Sequence, residues 1–456
     1  MRDSSVTFRR VRKSNIFPAV CQSHSCPDGT ELDSHGLPGY IRLGTLFAPI
    51  ETDGRITAQR GFRTIGRHID WQVLRLSPPP LFMGERSEEG VLLGWVKEIE
   101  LAGRRVLVGA LSLLFRTRAT TRLDPTHVHS ILLLRQDKLG DYIITTPLIR
   151  ALRTAFPQAR IDLLHSRTNA SAVATDPFLD RRLLYDKKHW LRVARLLWRI
   201  RKDRYDVIAD PWDNVSTTSI CVCLLGNPRW AVGFEKGVRV FDVAVPPLRD
   251  RAVHIILRIL ALSGAFGIDP AACDPTPYLH LPEEDRAFAA DFRASHPEWD
   301  RSHPRIGLNI SAGVRTRMWP AERYVEICRR IGEMVPSGRI LLLSTPEDRP
   351  RLEGIAAATP GLTLPAPVTP SFRQFAALIG ECEILVTPDT SAIHVASAFG
   401  VPTVALYPKK TEYQAAWHPF GIPSRVVQSD SERDMNSITP AEVAAAFLDL
   451  WSDKTK

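Results

Sequence analysis

Two places in this chain put reactive side chains at the end of an apolar run. In the first, Ile131-Leu132-Leu133-Leu134-Arg135 passes through a short polar loop to Gly140-Asp141, and a segment of helical periodicity follows through Thr145-Thr146-Pro147. A strand, a tight loop and a helix in succession bring the loop to the carboxyl edge of a sheet, where open α/β folds place their ligands. The Asp141 carboxylate so delivered can accept a proton from a hydroxyl, or it can cap the helix that follows. Those two tasks need the same exposed group.

The second joint runs from Ile384-Leu385-Val386-Thr387 into Pro388-Asp389-Thr390-Ser391, then a helix-like stretch holding His394 and ending at Gly400, then a strand-like run from Val401 to Tyr407. A helix that begins at Thr390 or Ser391 directs unsatisfied backbone N–H groups and the positive end of its dipole outward, beside two hydroxyls. Such an end can seat a diphosphate without a metal. The plainer alternative is that Asp389 or Thr390 only caps the helix. His394 stands one turn in and can face the same ligand or the core.

A third loop, Asn309-Ile310-Ser311-Ala312-Gly313-Val314, leads to Arg315, Arg317, Trp319 and then Pro320, a residue favoured at the first position of a helix. An arginine there can pair with departing phosphate oxygens through charge-assisted bonds, or sit solvated in a loop.

The elements that must hold these loops alternate. Between 127 and 280 the pattern predicts strand 131–135, helix 141–155, strand 160–164, helix 187–202, strand 205–210, helix 215–225 and a strand near 230–234. After a helix at 283–295 it predicts strand 305–310, helix 320–334, strand 339–343, helix 348–358, strand 362–364, helix 371–379, strand 384–387, helix 391–399, strand 401–406 and a last helix at 440–451. Strand and helix in alternation imply parallel sheets with crossover helices. The expected domains are an acceptor-side half, 127–280, and a donor-side half, 281–456, facing a cleft.

Ahead of them, residues 1–90 are rich in Gly, Pro, Ser and Arg and read as a poorly ordered extension, with translation starting near Met83 as one expectation. Residues 91–126 read as an amphipathic helix and linker. The helix core at 106–115 is bracketed by Arg104, Arg105, Arg116 and Arg118; it is too short to span a bilayer, which takes about 20 residues. It can lie among lipid headgroups or pack on the next domain.

The formal charge of +9 and a pI near 9.3 favour an anionic partner. The stretch from Lys187 to Lys202 concentrates that charge, with seven Lys/Arg interleaved with Trp190 and Trp198. It suits an anionic membrane, a phosphorylated glycolipid or RNA, or a merely solvated face. Seven scattered cysteines are unlike the even frameworks of small secreted domains and point to a reducing compartment. Cys21 and Cys26 with His24 lack a second ligand pair, so free thiols are favoured over zinc. No apolar segment follows Arg9, Arg10, Arg12 and Lys13 as in a secretory signal, and the chain is expected in the cytoplasm.

Taken together, Arg135-x5-Asp141 with Leu139-Gly140 before it and Thr146-Pro147 after, and Pro388-Asp389-Thr390 with His394, Ala396, Gly400 and Pro402, resemble glycosyltransferase family 9. This is the family of heptosyltransferases that build the inner core of bacterial lipopolysaccharide, and the likeness runs from about 131 to 421. It implies a GT-B fold, two Rossmann-like domains around a cleft, and an inverting transfer from ADP-heptose to a lipid-anchored glycan. On that resemblance Asp141 is the base, and Ser311, Ala312, Arg317, Asp389, Thr390, Ser391 and His394 bind the donor. Lys138, Arg192, Arg195 and Arg199 are expected on the acceptor and membrane side, with the enzyme peripheral on the inner face of the cytoplasmic membrane.

Three positions depart from the family pattern. Ser391 replaces a usual Gly, Leu343-Ser344-Thr345-Pro346 lacks the usual glycine pair, and no basic residue follows Asp210 in Pro211-Trp212-Asp213-Asn214-Val215-Ser216. No Asp-x-Asp pair stands at a suitable joint, so no obligatory metal is expected. The alternatives are a non-catalytic nucleotide-sugar binder of the same fold and, with less support, an RNA-binding α/β protein. No RNP-like aromatic strand is present, so nucleic acid is not the expected partner. Neither joint carries the G-x-G-x-x-G of a dinucleotide oxidoreductase.

Overall fold

A strand that is apolar at every position must be covered on both faces. β1 (Ser130–Arg135) is buried at all six residues and lies near the middle of such a sheet. The computed structural model describes Gly103 and residues 123–455, apart from 238–239, 249, 251 and 410–414. The residues described belong to one compact unit, Gly84–Lys456. The expected extension at 1–90 with its Met83 start, the Arg-flanked helix at 104–118, and Cys21 and Cys26 lie outside the described residues.

The first sheet comprises β1, β2 (Arg160–His165), β3 (Arg181–Leu184), β4 (Val207–Ala209), β5 (Trp230–Phe234) and β6 (Val243–Val245), in the order β3-β2-β1-β4-β5-β6. The second comprises β7 (Arg305–Asn309), β8 (Arg339–Leu343), β9 (Thr363–Pro365), β10 (Ile384–Pro388), β11 (Thr403–Tyr407) and β12 (Ser424–Gln428), in the order β12-β11-β10-β7-β8-β9. Every neighbouring pair is parallel. Counted within its own half, each sheet has the strand order of the doubly wound dinucleotide fold. The order reverses between β1 and β4, and again between β7 and β10, and both chemical joints stand at those reversals.

The first half carries α1 (Leu139–Ile143), α2 (Thr146–Ala155), α3 (Ala170–Val173), α4 (Trp190–Asp203), α5 (Thr217–Gly226) and α6 (Ile255–Leu260). Then follow α7 (Glu283–Ser295), α8 (Ala321–Met334), α9 (Arg349–Ala358), α10 (Phe372–Gly380), α11 (Ser391–Phe399) and α12 (Pro440–Thr455).

Three edge strands were not evident from periodicity: β3, β6 and β12. Each lies at or beside a margin of its sheet, where one or more side chains are exposed or half-buried and the apolar signal is interrupted. The single helix expected over 141–155 is two. Pro147 has no N–H to give the carbonyl of Ile143, and the Thr146 hydroxyl donates to that carbonyl instead, at 2.7 Å. The break at Ile144–Thr145 makes α1 a separate short element, whose place is set from outside: Tyr142 OH donates to Asp176 at 2.7 Å.

The two halves share a continuous apolar core in which Ile143 and Leu148 of the first join Ala392, Val395 and Ala396 of the second. α1 packs against α11, and α7 against α10. Arg373 on α10 ties the halves again: it pairs with Asp285 of α7 and donates to the carbonyl of Ser171 at 2.7 Å.

Candidate active site

The start of α1 shows what Asp141 does for the helix. Lys138 takes the N-cap position, and Asp141 is the third helical residue, its Oδ2 accepting from the backbone N–H of Lys138 at 3.0 Å. Asp141 is therefore not the cap residue itself, although its carboxylate does satisfy an orphan N–H there. Its other oxygen stands 3.9 Å from Nη2 of Arg135, and the side chain keeps 14% exposure.

Arg135 is fully buried, donates from Nε to the carbonyl of Asp141 at 2.7 Å, and lies over the Trp212 ring at 4.8 Å. Its Nη1 is 3.8 Å from Asp137, whose carboxyl is pushed up by burial and drawn partly back by that guanidinium. Neither Nη of Arg135 makes a hydrogen bond among the described residues, so its field falls on both carboxylates at slightly longer range.

Across the cleft, Thr390 is the N-cap of α11, its Oγ1 accepting from the N–H of Ala392 at 3.2 Å, and Ser391 is the first helical residue. Asp389 does not cap; its carboxylate meets Nη1 of Arg317 at 3.1 Å, and the same nitrogen donates to its carbonyl at 3.3 Å. Arg317 is thereby fixed at the helix start from the loop after β7. Asn309 ties the floor together, its Nδ2 donating to Thr387 Oγ1 at 2.9 Å and to the Ser311 carbonyl at 3.2 Å. Ser311 is buried and its hydroxyl accepts from the N–H of Thr345 at 2.9 Å. That bond joins the loop after β7 to the loop after β8, where the family's glycine pair is missing. Ala312 follows, half-buried.

The joints meet directly. A Cβ at Gly140 would stand 2.8 Å from Cδ2 of His394 and 3.7 Å from Cα of Ser391. Asp141 is thus one residue from the contact between α1 and α11. Gly140→Ala is expected to force the buried His394 ring aside, destabilising by about 1–3 kcal/mol as overpacking does and lowering turnover more than nucleotide affinity. Unfolding curves and a rate assay check this; an alanine variant with unaltered stability and rate would remove the close approach.

His394 is buried against Trp417, ring centroids 6.0 Å apart, and its pKa falls to about 4 through burial, offset in part by the charge of Asp141. It is neutral at neutral pH and brings hydrogen-bonding capacity, not charge. His254, the N-cap of α6, is lowered further, to about 3, again chiefly by burial. Its Nε2 donates to the carbonyl of His418 at 2.9 Å while Nδ1 accepts from the N–H of Ile256 at 3.2 Å, a pattern only the neutral ring can satisfy.

A histidine near 6.5 in the unfolded chain takes up its proton before these folded rings do, so the unfolded state binds more protons below that value. Stability is therefore full above about pH 6.5 and falls as pH drops toward the folded values. At about 1.4 kcal/mol per pH unit between the two values, each ring carries a few kcal/mol. Denaturant midpoints followed from pH 7 to about pH 4.5 should fall, and His254→Gln should flatten the slope. An unchanged slope in that variant would assign the loss to other groups.

Sequence reasoning missed Lys236. Asp210, at the end of β4, has no basic neighbour in its own loop, yet Nζ of Lys236 reaches it from the loop after β5 at 2.7 Å, both side chains 1% exposed. Only strand adjacency brings positions 26 apart together. Trp212 and Trp417, centroids 6.3 Å apart, join the halves beside Arg135 and His394.

The expected acceptor-side cations do not gather at this point. Lys138 is exposed in the loop before α1, while Arg192, Arg195 and Arg199 are exposed along α4, Arg192 meeting Asp186 at 3.3 Å. Among the described residues no cluster of three or more His, Cys, Asp or Glu could hold a metal ion, and no helix is long and apolar enough to cross a membrane.

Comparison with known proteins points the same way. The chain is 22% identical over 287 residues to the lipopolysaccharide core heptosyltransferase OpsX of Haemophilus influenzae, covering 61% of this chain and 78% of that one. Its fold matches the crystal structure of a glycosyl transferase family 9 protein from Veillonella parvula with a TM-score of 0.62 at 19% identity, over 73% of this chain and all of the other. The E. coli ADP-heptose lps heptosyltransferase II structure matches with a TM-score of 0.58 at 21% identity, over 72% of this chain and 100% of that one. These likenesses establish the GT-B fold. The model of glycosyltransferase family 9 (heptosyltransferase) matches residues 193–437, more than half of the chain and the whole of the Arg317–Asp389–Thr390 joint. The chain is therefore a glycosyltransferase, a member of family 9, the heptosyltransferases.

Proposed function

We propose that this enzyme transfers a heptose, or a closely related sugar, from ADP-heptose to a hydroxyl of a lipopolysaccharide-core or related lipid-anchored glycan, with inversion at the anomeric carbon. The observation that supports the reading is the close approach of Gly140 to His394 and Ser391, which brings the neighbouring residue, Asp141, to the side of α1 that packs on the start of α11. A donor whose diphosphate rests on the Thr390 and Ser391 amides presents its anomeric carbon toward Asp141.

In that arrangement the acceptor oxygen attacks the anomeric carbon as Asp141 takes its proton. The carbon–oxygen bond to the β-phosphate breaks, and its electron pair leaves on the phosphate. The transition state resembles an oxocarbenium ion, as in glycoside hydrolysis. Charge growing on the diphosphate is met by the helix end and Arg317, donors already fixed before reaction. Asp389 holds Arg317 in register, and Ser311 and Ala312 shape the loop under the phosphates. Neutral His394 borders the space between donor and base. Trp212, Arg135 and the Lys236–Asp210 pair form the acceptor-side wall, where Lys138 is free to meet an acidic glycan. The soluble donor and lipid-linked acceptor put the reaction on the cytoplasmic face of the inner membrane.

Ligand-induced thermal stabilisation across ADP- and UDP-sugars tests the donor. ADP-heptose should stabilise most, and release of ADP should require a lipopolysaccharide-core acceptor. A larger shift with a UDP-sugar would exclude ADP-heptose, and tight binding without turnover on any core acceptor would favour a non-catalytic binder.

A further inference from the structure

The end of the first sheet opposite the cleft has a hollow of its own. Trp198, Arg201, Lys202, Arg204, Tyr205, Asp206, Asn227 and Arg229 line a cavity of about 700 Å³. Tyr205 and Asp206 precede β4, and Arg229 precedes β5, so this is the amino edge of the sheet. Asp141 lies at the carboxyl edge, a strand length away, on the order of 15–20 Å. The hollow is not part of the transfer site.

Its charge is one-sided. None of Arg201, Lys202, Arg204 and Arg229 forms an ion pair among the described residues. Arg201 donates to the carbonyl of Leu225 at 3.1 Å, while Lys202 and Arg229 lie over the rings of Trp198 and Trp230 at 5.2 and 4.3 Å. Asp206 is committed elsewhere, accepting from the N–H of His129 at 2.9 Å and the hydroxyl of Ser130 at 3.0 Å. Arg204 closes α4 in the left-handed region, φ 46° and ψ 58°, a position where glycine is the ordinary choice. A bulky cation stands where the backbone favours glycine.

α4 continues the same surface. It buries Ile200 and half-buries Val193, Leu196 and Leu197 against the sheet. On the outer side Trp190, Ala194 and Trp198 follow one another at four-residue spacing, one line along a helix. The two tryptophans are 74% and 64% exposed, and Leu191 beside them 52%. Arg195, Arg199 and Lys202 flank the line, all exposed. An apolar row with interfacial aromatics, bordered by cations, is the pattern of a helix lying in a bilayer interface.

We propose that α4 and the hollow at its carboxyl end dock this enzyme on an anionic phospholipid bilayer, with Trp190, Leu191 and Trp198 among the headgroups and a lipid phosphate held by Arg201, Lys202, Arg204 and Arg229. Helix α4 begins beside the carboxyl end of β3 and ends at the amino edge. A bilayer along its outer face therefore runs past the cleft side of the sheet as well, leaving the cleft free. The docking does not depend on which sugar is transferred.

The test is flotation of the full chain with phosphatidylcholine vesicles, with and without phosphatidylglycerol. The wild type should float only with the anionic lipid. Removing one surface cation should weaken partition roughly fivefold, so Arg204→Gly should lose about fivefold, and Trp198→Ala, which removes an interfacial aromatic, should weaken partition as well. Arg204→Gly suits the left-handed backbone and should not lower the melting temperature, and both variants should keep the wild-type response to ADP. Flotation unchanged in the double variant, or no preference for phosphatidylglycerol, overturns the proposal. So does suppression of flotation by dilute inorganic phosphate, which would make the hollow a site for a soluble anion, or salt-sensitive RNA binding lost in these variants while flotation persists.

Discussion

Asp141→Asn is expected to lower turnover by about 10²–10⁴, the range for loss of a general base, while leaving nucleotide binding close to wild type. The amide oxygen can still accept from the N–H of Lys138, now at 3.0 Å from Oδ2, so the start of α1 is kept. Its carbonyl bond from Arg135 Nε is a backbone matter and also survives. What goes is the negative charge 3.9 Å from Nη2 of Arg135 and the capacity to take a proton. The Thr390 and Ser391 helix end is on the other half and is untouched. Single-turnover rates with saturating donor, beside ADP-induced thermal shifts, separate the two effects. Full activity in Asp141→Asn would reduce the carboxylate to its part at the helix start, and the transfer would need another base.

Arg317→Ala should act differently, lowering donor affinity and turnover together, with turnover down by about 10²–10³ as for removal of one preorganised donor to a developing oxyanion. The side chain makes an ion pair with the Asp389 carboxylate and donates a hydrogen bond to its carbonyl. Without it a carboxylate only 8% exposed is left beside the start of α11 with its Arg317 partner gone. Repulsion is then added to the lost attraction. Arg317→Lys should recover only part, since an ammonium is a strongly hydrated point charge without the delocalised, planar guanidinium. Unaltered donor affinity and rate in Arg317→Ala would remove Arg317 from the site and leave the phosphates to the helix end alone.

These two expectations rest on different kinds of knowledge. Strands such as 339–343 and helices such as 283–295 are legible because core sheets covered on both faces are continuously apolar and amphipathic helices repeat every few residues. β3, β6 and β12 are not, because a short marginal strand shares its faces with solvent. The single helix expected over 141–155 ran through Pro147, because the replacement of its missing N–H by the Thr146 hydroxyl, which separates α1 from α2, requires the folded turn.

For the site, the sequence by itself determined the chemistry on offer: a carboxylate at one strand-to-helix joint, hydroxyls and free amides at another, an arginine at a third. These are local properties, set by residue type and by the few residues on either side. The tertiary structure alone decided who meets whom. Asp389 pairs with Arg317 instead of capping α11, Lys236 supplies the cation missing after Asp210, and Gly140 admits His394 beside the residue that precedes Asp141. Such pairings join residues from 26 to about 250 positions apart, and they follow from strand order and from the contact of α1 with α11. No local pattern encodes a neighbour that only a parallel sheet and its crossovers bring near.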